Sequence, residues 1–247
     1  MRNKKIRADQ LLVEKGICES REKAKRLIMA GLVVKEKNQE LIKKPGELIE
    51  KDEKLILKEK ERFVSRGGYK LLTAIETFHI DFKDKIVMDV GASTGGFTDC
   101  ALQHGAKKVY AVDVGYGQLH EKLLNDARVI NLERINIRYL SPSLLLEKMD
   151  IITIDCSFIS LTKVLPCCIK FLKDTGEIVC LIKPQFELEK KEVKKGVVRD
   201  KNLQHKAVSK IVQFAQNELN LMSIGIVPSK IKGPKGNQEY LAYFKKR

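Results

Sequence analysis

Residues 86–99 have the sequence I-V-M-D-V-G-A-S-T-G-G-F-T-D, and this stretch decides the fold of the chain. An apolar, β-rich run ends at Asp89, a glycine-bearing turn spans Gly91 to Gly96, and a helix-like run begins at Phe97. A strand that leads through small residues into a helix lets the backbone approach a ligand and presents unpaired N–H donors at the helix start. The stretch therefore predicts a nucleotide-type cofactor site.

The glycine spacing narrows the class of cofactor. Gly91, Gly95 and Gly96 follow the pattern G-x-x-x-G-G, whereas a dinucleotide-binding fingerprint is G-x-G-x-x-G. No Lys-Ser or Lys-Thr pair follows the glycines, so the phosphate-binding P-loop pattern is missing as well. A ligand that carries an adenosine without a pyrophosphate fits this pattern, and S-adenosylmethionine is the leading candidate.

Composition and charge indicate a basic, reduced protein. The 247 residues include 47 Lys and Arg against 32 Asp and Glu, a formal net charge of +15, which predicts a polyanionic partner. No apolar run approaches the roughly 20 residues of a membrane helix, and no apolar core follows the basic N-terminus, so neither a membrane span nor a signal peptide is predicted. The six cysteines form no C-x-x-C pair, which favours a cytoplasmic protein without a metal site.

Residues 1–60 are predicted to form a small basic domain. Helices are expected at Ala8–Lys15 and Arg21–Ala30, with short strands at Leu32–Val34 and Leu55–Leu57. On residue pattern alone, the cations of the second helix would be an ordinary solvated face. However, R-x-D-x-L-L from Arg7 and S-R-x-x-A-x-x-L-I-x-x-G from Ser20 resemble the RNA-binding domain of the fourth small-subunit ribosomal protein (S4). The resemblance implies that RNA contacts basic side chains, with these candidates: Arg7, Arg21, Lys23, Lys25, Arg26 and Arg66.

After a predicted linker at residues 61–65, residues 66–247 alternate between helical and strand patterns. This alternation predicts a parallel sheet covered by helices on both faces, a doubly wound α/β fold of the methyltransferase type. The predicted strands are Ile86–Val90, Lys108–Asp113, Val129–Leu132, Ile151–Asp155, Glu177–Lys183, Met222–Val227 and Tyr240–Phe244. The predicted helices are Tyr69–Phe78, Thr98–His104, Leu161–Leu172 and Leu203–Leu219.

Polar residues stand at the carboxyl ends of these strands, where ligands bind in open α/β sheets. We expect Asp113 to accept hydrogen bonds from a ribose and Asn136 to contact an adenine edge. Asp155 and Lys183 end strongly apolar strands, and charged groups there are unusual unless they are paired or functional. Together with Lys70 and Glu239 they would form a Lys-Asp-Lys-Glu cluster, in which a second lysine favours the neutral amine of Lys183. A purely structural ion-pair network is an equally weighted alternative.

Both parts of the chain resemble parts of a known protein family. Residues 65–247 are similar to the FtsJ-like RNA 2′-O-methyltransferases, and together with the N-terminal domain the chain resembles the TlyA family, historically labelled haemolysin A. The motifs that carry this resemblance are V-S-R-G-G-Y-K-L (64–71), D-V-G-A-S-T-G-G-F-T-D (89–99), A-V-D-V-G-Y-G-Q-L (111–119), N-I-R (136–138), D-C-S-F-I-S-L (155–161), K-P-Q-F-E (183–187), G-V-V-R-D (196–200) and G-N-Q-E-Y (236–240).

The resemblance implies methylation of a ribose, expected on a cytidine of ribosomal RNA, with S-adenosylmethionine as donor. It implies catalytic roles for Lys70, Asp155, Lys183 and Glu239, and requires no metal. The cofactor-binding residues expected from the pattern and the resemblance are Asp89, Gly91, Ser93, Thr94, Gly95, Gly96, Phe97, Asp113, Asn136 and Asp155. Folded RNA is a better expectation than DNA, because the target hydroxyl exists only in RNA. The partner is ribosomal RNA or a ribosomal subunit, and a monomer is favoured.

Three other functions stay open at this stage. Cys156 beside Asp155 suggests a cytosine C5-methyltransferase with a thiolate nucleophile, although its Asp-Cys-Ser context lacks the usual Pro-Cys. A non-catalytic RNA-binding assembly factor is the second, and the complete charged cluster argues against it. A membrane-lysing protein is the third, and no membrane-active segment supports it. The chain ends at Arg247 directly after the last predicted strand, as in the shorter family members, which favours large-subunit RNA as the substrate.

Overall fold

A computed structural model describes residues 5–29, 31–58, 62–145, 147–233 and 235–247. The chain divides into two compact units, Met1–Arg62 and Phe63–Arg247. Several predicted features extend beyond the described residues: the ends of the domain at 1–60, the first residue of the linker at 61–65, and Ala30 at the end of the second predicted helix. None of the described helices is both long enough and apolar enough to cross a membrane.

The first unit packs two helices against two small antiparallel sheets. Its helices are α1 (Ala8–Glu14) and α2 (Arg21–Met29), and its strands are β1 (Lys5–Arg7), β2 (Val33–Lys35), β3 (Leu48–Glu50) and β4 (Leu55–Leu57). Strand β1 pairs with β3, and β2 pairs with β4. Leu12 and Ile28 bring the two helices into one buried cluster. The sequence did not predict β1 (K-I-R) and β3 (L-I-E), which contain charged residues, whereas the equally short but more apolar β2 and β4 were predicted.

The second unit is built on a seven-stranded sheet with the order β10-β11-β9-β8-β5-β6-β7. Its strands are β5 (Ile86–Val90), β6 (Lys108–Val112), β7 (Val129–Leu132), β8 (Met149–Ile154), β9 (Leu172–Ile182), β10 (Leu221–Pro228) and β11 (Tyr240–Lys246). Strand β11 runs antiparallel to both of its neighbours, and the other pairings are parallel. This arrangement confirms the predicted α/β fold of the methyltransferase type.

The helices of the second unit are α3 (Gly67–Phe78), α4 (Gly96–Gln103), α5 (Glu121–Leu124), α6 (Leu161–Cys168), α7 (Pro184–Glu187) and α8 (Lys201–Asn217). One prediction is wrong at its end: the helix expected over Leu161–Leu172 ends at Cys168, and a 3-10 turn follows. Leu172 instead opens β9, because it pairs with Met149 across the sheet. Helices α5 and α7 were not predicted, since four residues give no helical period.

Side chains alternate between two cores, one on each face of the sheet. Ile152 and Ile154 of β8 pack in the same cluster as α6 and α8, whereas Ile151 packs in the cluster that holds α3 and α4. Burial on both faces explains why these strands are almost continuously apolar. The chain leaves β5 for β6 on one side and returns to β8 on the other, so the carboxyl ends of β5 and β8 form the topological switch point.

The N-termini of α3 and α4 meet through glycines. A Cβ at Gly96 would lie 2.3 Å from Ser65 Oγ and 2.8 Å from the backbone nitrogen of Gly68, a distance that backbone atoms do not tolerate. The close approach holds the first turn of α3, which carries Lys70, beside the turn that follows β5.

We therefore expect Gly96→Ala to lower the free energy of unfolding by about 1–3 kcal/mol, because the extra methyl group overpacks a backbone contact. Gly67→Ala is the matched control, since its Cβ would meet no atom of the described residues closer than 3.4 Å. Urea denaturation monitored by circular dichroism measures both variants. Equal midpoints for the two variants would contradict the close approach.

Candidate active site and nucleic-acid interface

The turn after β5 is shaped by two glycines with positive φ. Gly91 has φ of 82°, and a Cβ there would lie 2.7 Å from the carbonyl oxygen of Asp155. Gly95 has φ of 94°, and a Cβ there would lie 2.2 Å from Leu123 Cδ1. Only glycine meets both demands at these positions. The backbone of the turn, called the glycine turn below (Gly91–Gly96), is thus pressed against the segment after β8 on one side and α5 on the other.

Asp89 lies behind the glycine turn and has no exposed surface. Its carboxylate accepts hydrogen bonds from Thr98 Oγ1 at 2.7 Å and Thr153 Oγ1 at 3.1 Å, so it links β5 to α4 and β8. Burial raises the pKa of Asp89 from 3.8 to about 7. Asp89, predicted to bind the cofactor, is therefore sealed from solvent, and its carboxylate supports the glycine turn from behind.

Four charged side chains meet beyond the strand ends, and we call them the charged cluster: Lys70, Asp155, Lys183 and Glu239. Lys70 Nζ lies 2.7 Å from Glu239 Oε2 and 3.8 Å from Asp155 Oδ2. Lys183 Nζ lies 2.5 Å from Asp155 Oδ1 and donates a hydrogen bond to Ser157 Oγ at 2.9 Å. The residues come from α3, from the ends of β8 and β9, and from the residue before β11, so only the folded sheet brings them together.

The charged cluster is nearly closed to solvent. Lys70, Lys183 and Glu239 have exposed fractions of 8%, 7% and 1%. Two ammonium groups face two carboxylates, so the charges cancel, which is the condition for burying ions at tolerable cost. Asp155 Oδ1 is buried, and its partner is the ammonium of Lys183 at 2.5 Å.

A cavity of about 760 Å³ joins the glycine turn to the charged cluster. Of the predicted cofactor residues, it is lined by Gly91, Ser93, Thr94, Gly96, Phe97 and Asp155, together with all four members of the charged cluster. Its volume falls within the range of small-molecule sites. The glycine turn contributes backbone and small side chains to the cavity wall, which suits the adenosine-bearing donor expected from the sequence.

Gly95, Asp113 and Asn136, also predicted to bind the cofactor, do not line this cavity. Gly95 faces α5. Asp113 accepts hydrogen bonds from the backbone nitrogens of Ser93 at 2.8 Å and Gly115 at 2.7 Å, so its carboxylate braces the glycine turn. Asn136 Oδ1 accepts a hydrogen bond from the backbone nitrogen of Arg138 at 3.1 Å, so the Asn136 side chain stabilises the turn in which it lies.

Some residues of the cavity were not singled out by sequence reasoning. Phe158 is 90% exposed with φ of 64°, and its ring centroid lies 5.1 Å from that of Phe186. Ser157 and Gln185 also line the cavity. All four lie within the motifs D-C-S-F-I-S-L and K-P-Q-F-E, but a sequence does not reveal that a phenylalanine in a loop points outward.

The two segments that carry these residues are tied together by Glu187. Its buried carboxylate accepts hydrogen bonds from Ser160 Oγ at 2.5 Å and from the backbone nitrogen of Leu161 at 2.9 Å. Burial raises the pKa of Glu187 above its ordinary value. The clamp holds the loop after β8 against α7, so that Phe158 and Phe186 stay at one edge of the cavity.

In the first unit, the predicted RNA-binding cations surround a buried carboxylate. Asp9 is fully buried, pairs with Arg7 at 3.0 Å and Arg21 at 3.1 Å, and has a pKa lowered to about 2, first by the hydrogen bond from Arg7. The two arginines remain 42% and 48% exposed, so each can still present part of its guanidinium to a ligand. Lys23 and Lys25 form exposed pairs with Glu19 and Glu22, which salt screens readily.

Two further predicted cations differ in their surroundings. Arg26 is exposed and forms no ion pair with any described residue. Arg66 belongs to the second unit, where it lines the active-site cavity and donates a hydrogen bond to the backbone oxygen of Lys232 at 2.8 Å. Within the described residues, no group of three or more His, Cys, Asp or Glu side chains is arranged to hold a metal ion.

The sheet order, the glycine turn at the switch point and the cavity beside it define the class of S-adenosylmethionine-dependent methyltransferases. The profile of the FtsJ-like methyltransferases matches residues 63–246, and that of the S4 domain matches residues 6–55. The chain belongs to the FtsJ-like methyltransferases and, with its S4 domain, to the TlyA family.

Three relatives support this assignment over nearly the whole chain. YqxC of Bacillus subtilis (strain 168), which is named as an rRNA methyltransferase candidate, is 47% identical to this chain. The alignment covers 98% of this chain and 86% of YqxC. The Mycobacterium tuberculosis 16S/23S rRNA (cytidine-2′-O)-methyltransferase TlyA is 40% identical, covering 98% and 90%. A solved structure from Streptococcus thermophilus, named among hemolysins, has 45% identity and a TM-score of 0.75, covering 99% of this chain and 89% of its own.

The raised pKa of Asp89 predicts how the stability of the second unit varies with pH. The folded state favours the protonated carboxyl, so this stabilisation is complete below about pH 4 and is lost as pH rises through about 7. One such group changes the free energy of unfolding by at most about 1.4 kcal/mol per pH unit.

Asp89→Asn carries a neutral group at every pH, and its free energy of unfolding should therefore fall less than that of the wild type between pH 5 and pH 8. Urea denaturation across this range measures the difference. Parallel curves for the two proteins would show that Asp89 keeps an ordinary pKa.

Proposed function

We propose that this protein transfers the methyl group of S-adenosylmethionine to a ribose 2′-oxygen of ribosomal RNA, at a cytidine, with large-subunit RNA as the favoured substrate. The observation that carries the proposal is the charged cluster, which opens into the same cavity as the glycine turn. In this proposal residues 1–60 bind RNA and residues 66–247 catalyse the reaction. All members of the charged cluster come from one chain, so a monomer suffices.

The glycine turn would hold the cofactor through the backbone of Gly91 and Gly96, which line the cavity, and the side chains of Ser93 and Thr94. S-adenosylmethionine, when bound, supplies an electrophilic methyl group on a cationic sulfur. The protein then needs mainly to place the acceptor oxygen against that group, since holding two reactants in register lowers the barrier without further activation.

Lys183 is the residue that we assign to the acceptor hydroxyl. Its Nζ is held by Asp155 and Ser157 at the cavity wall. Once this ammonium has given one proton to solvent, the free amine can bind the attacking 2′-hydroxyl and take up its proton as the new C–O bond forms. The bond between the methyl group and the sulfur of the donor would break in the same step, leaving S-adenosylhomocysteine. Asp155 stabilises the resulting ammonium. The Lys70–Glu239 pair, at 2.7 Å, fixes the far side of Asp155 and completes the charge balance.

Several observations favour RNA as the acceptor. The net charge of +15 and the S4 domain suit a polyanion. Phe158 presents an exposed ring at the cavity, and proteins commonly stack unpaired RNA bases on such rings. The expectation of a cytidine is supported by the name of the Mycobacterium tuberculosis relative, which includes both 16S and 23S rRNA. The expectation of the large subunit is supported by a Campylobacter jejuni relative, 37% identical, which is named a 23S rRNA (cytidine-2′-O)-methyltransferase. A ribosomal RNA substrate would also support the expected cytoplasmic location.

The surroundings of Cys156 disfavour the alternative function of a cytosine C5-methyltransferase. Burial raises the pKa of this thiol to about 12, and its Sγ donates to the backbone oxygen of Val90 at 3.7 Å rather than lining the cavity. A thiolate nucleophile requires a lowered pKa. The intact charged cluster likewise favours an enzyme over a passive assembly factor or a lytic protein.

The direct test is to incubate the full chain with S-adenosylmethionine and unmodified ribosomal RNA of both subunits. We expect 2′-O-methylcytidine by nucleoside mass spectrometry, mapped to one or a few positions. Lys183→Met should lower the rate at least 100-fold, because the hydroxyl loses its partner, while calorimetry shows unchanged cofactor binding.

Cys156→Ala is the control and should keep its activity within about threefold of the wild type, since its thiol takes no part in the proposed reaction. A methyl group on cytosine C5, or no methylation of either RNA by the wild type, would overturn the proposed function.

Phe158 supplies a second prediction. Phe158→Ala should raise KM for RNA about tenfold, because stacking on an aromatic ring contributes about 1–3 kcal/mol per base. Phe158→Tyr keeps the ring and should retain the wild-type KM. Steady-state kinetics measure both, and thermal unfolding should be unaffected because the ring is 90% exposed. Equal KM values for the Ala and Tyr variants would rule out stacking.

A further inference from the structure

Two loops beside the active-site cavity carry the motifs G-V-V-R-D and G-N-Q-E-Y, of which the proposed reaction uses only Glu239. The loops enclose a second cavity of about 830 Å³. We call it the cation cavity, because its lining includes Arg199, Lys201, His205, Lys232 and Lys235 and contains no Asp or Glu among the described residues. Lys232 and Lys235 also line the active-site cavity, so the two cavities adjoin.

Buried amides hold the backbone of both loops in place. Asn237, 3% exposed, accepts a hydrogen bond from the backbone nitrogen of Val198 and donates one to the backbone oxygen of Gly196, both at 2.9 Å. Gln204, 7% exposed, donates to the backbone oxygen of Val198 at 2.8 Å and accepts from Tyr240 Oη at 2.7 Å. Satisfied buried networks of this kind specify one arrangement, so Arg199 projects from a fixed backbone.

The cations of this cavity lack acidic partners. Within the described chain, none of Arg199, Lys201, Lys232 and Lys235 forms an ion pair, and all four are exposed. Elsewhere in the second unit many lysines are paired, such as Lys122 with Asp99, Lys206 with Glu192 and Lys230 with Glu76. The nearest acid in sequence, Asp200, instead caps α8 by accepting from the backbone nitrogen of Asn202.

An unpaired group of cations around a concave surface creates a positive potential that is relieved when a polyanion binds. We propose that the cation cavity binds the phosphodiester backbone of the RNA strand next to the nucleotide in the active-site cavity. Continuity through Lys232 and Lys235 lets one strand occupy both cavities. The inference rests on the proposed function only in taking RNA as the substrate.

The test compares two double variants of the full chain, each of which lacks two positive charges. Arg199→Gln with Lys201→Gln removes two cations that line the cation cavity but not the active-site cavity. Lys163→Gln with Lys170→Gln is the matched control, because both lysines are exposed and unpaired within the described residues. Lys163 lies in α6 and Lys170 in the 3-10 turn after it, and neither lines either cavity. Equal melting temperatures and equal binding of S-adenosylmethionine establish that both variants are folded.

Binding to a 23S ribosomal RNA transcript is then measured at several salt concentrations with S-adenosylhomocysteine present, so that no turnover occurs. For the cavity variant we expect about tenfold weaker binding and a salt dependence reduced by about 0.7 per lost contact. The control should bind within about twofold of the wild type. The inference is overturned if the two variants lose affinity equally or if the cavity variant loses none.

The outcome stays separate from that of the methylation assay. Absence of 2′-O-methylation by the wild type would reject the proposed function, whereas the affinity comparison depends on RNA binding alone. In kinetics, the cavity variant should show a raised KM for RNA with an unchanged kcat, because the charged cluster is intact. A fall in kcat with an unchanged KM would also overturn a backbone-binding role.

Discussion

The backbone of the glycine turn rests against the segment that carries Asp155, and the arrangement of the site depends on this contact. A Cβ at Gly91 would stand 2.7 Å from the carbonyl oxygen of Asp155, and the nitrogen of Asp155 donates to the oxygen of Val90 at 2.9 Å. The pairing of β5 with β8 therefore continues past the last strand residues. The surface that would hold the methyl donor and the carboxylate between the lysines are fixed in one rigid unit.

Around that contact, buried charge is kept in balance. Asp155 lies between Lys183 and Lys70, and Glu239 neutralises the second lysine. Removing any one member leaves an uncompensated charge in a site that excludes most solvent, which is costly. Such a cluster is stable only where the sheet holds every strand end in place, and this requirement links the apolar cores on both faces to the chemistry at the strand ends.

The sequence predicted best those features that a short, local residue pattern specifies. The apolar strands, the glycine turn and the charged residues at the ends of β8 and β9 were predicted and lie in the structure as expected. The roles expected for Asp89, Asp113 and Asn136 depended on where their side chains point, and the structure uses all three to hold backbone or neighbouring side chains. The outward ring of Phe158 and the short helices were missed, because neither leaves a periodic signal.

By itself, the sequence determined the order of helices and strands and the presence of a turn where only glycine fits, since backbone geometry and hydrophobic period are local properties. Lys70 and Glu239 were expected in one cluster, but only the tertiary structure decided that these residues, 169 positions apart, pair directly with each other at 2.7 Å. It also decided that cations from two distant loops, unpaired among the described residues, surround a second cavity. The physical reason is that sheet pairing between non-adjacent strands sets these distances, and no local pattern encodes such pairing.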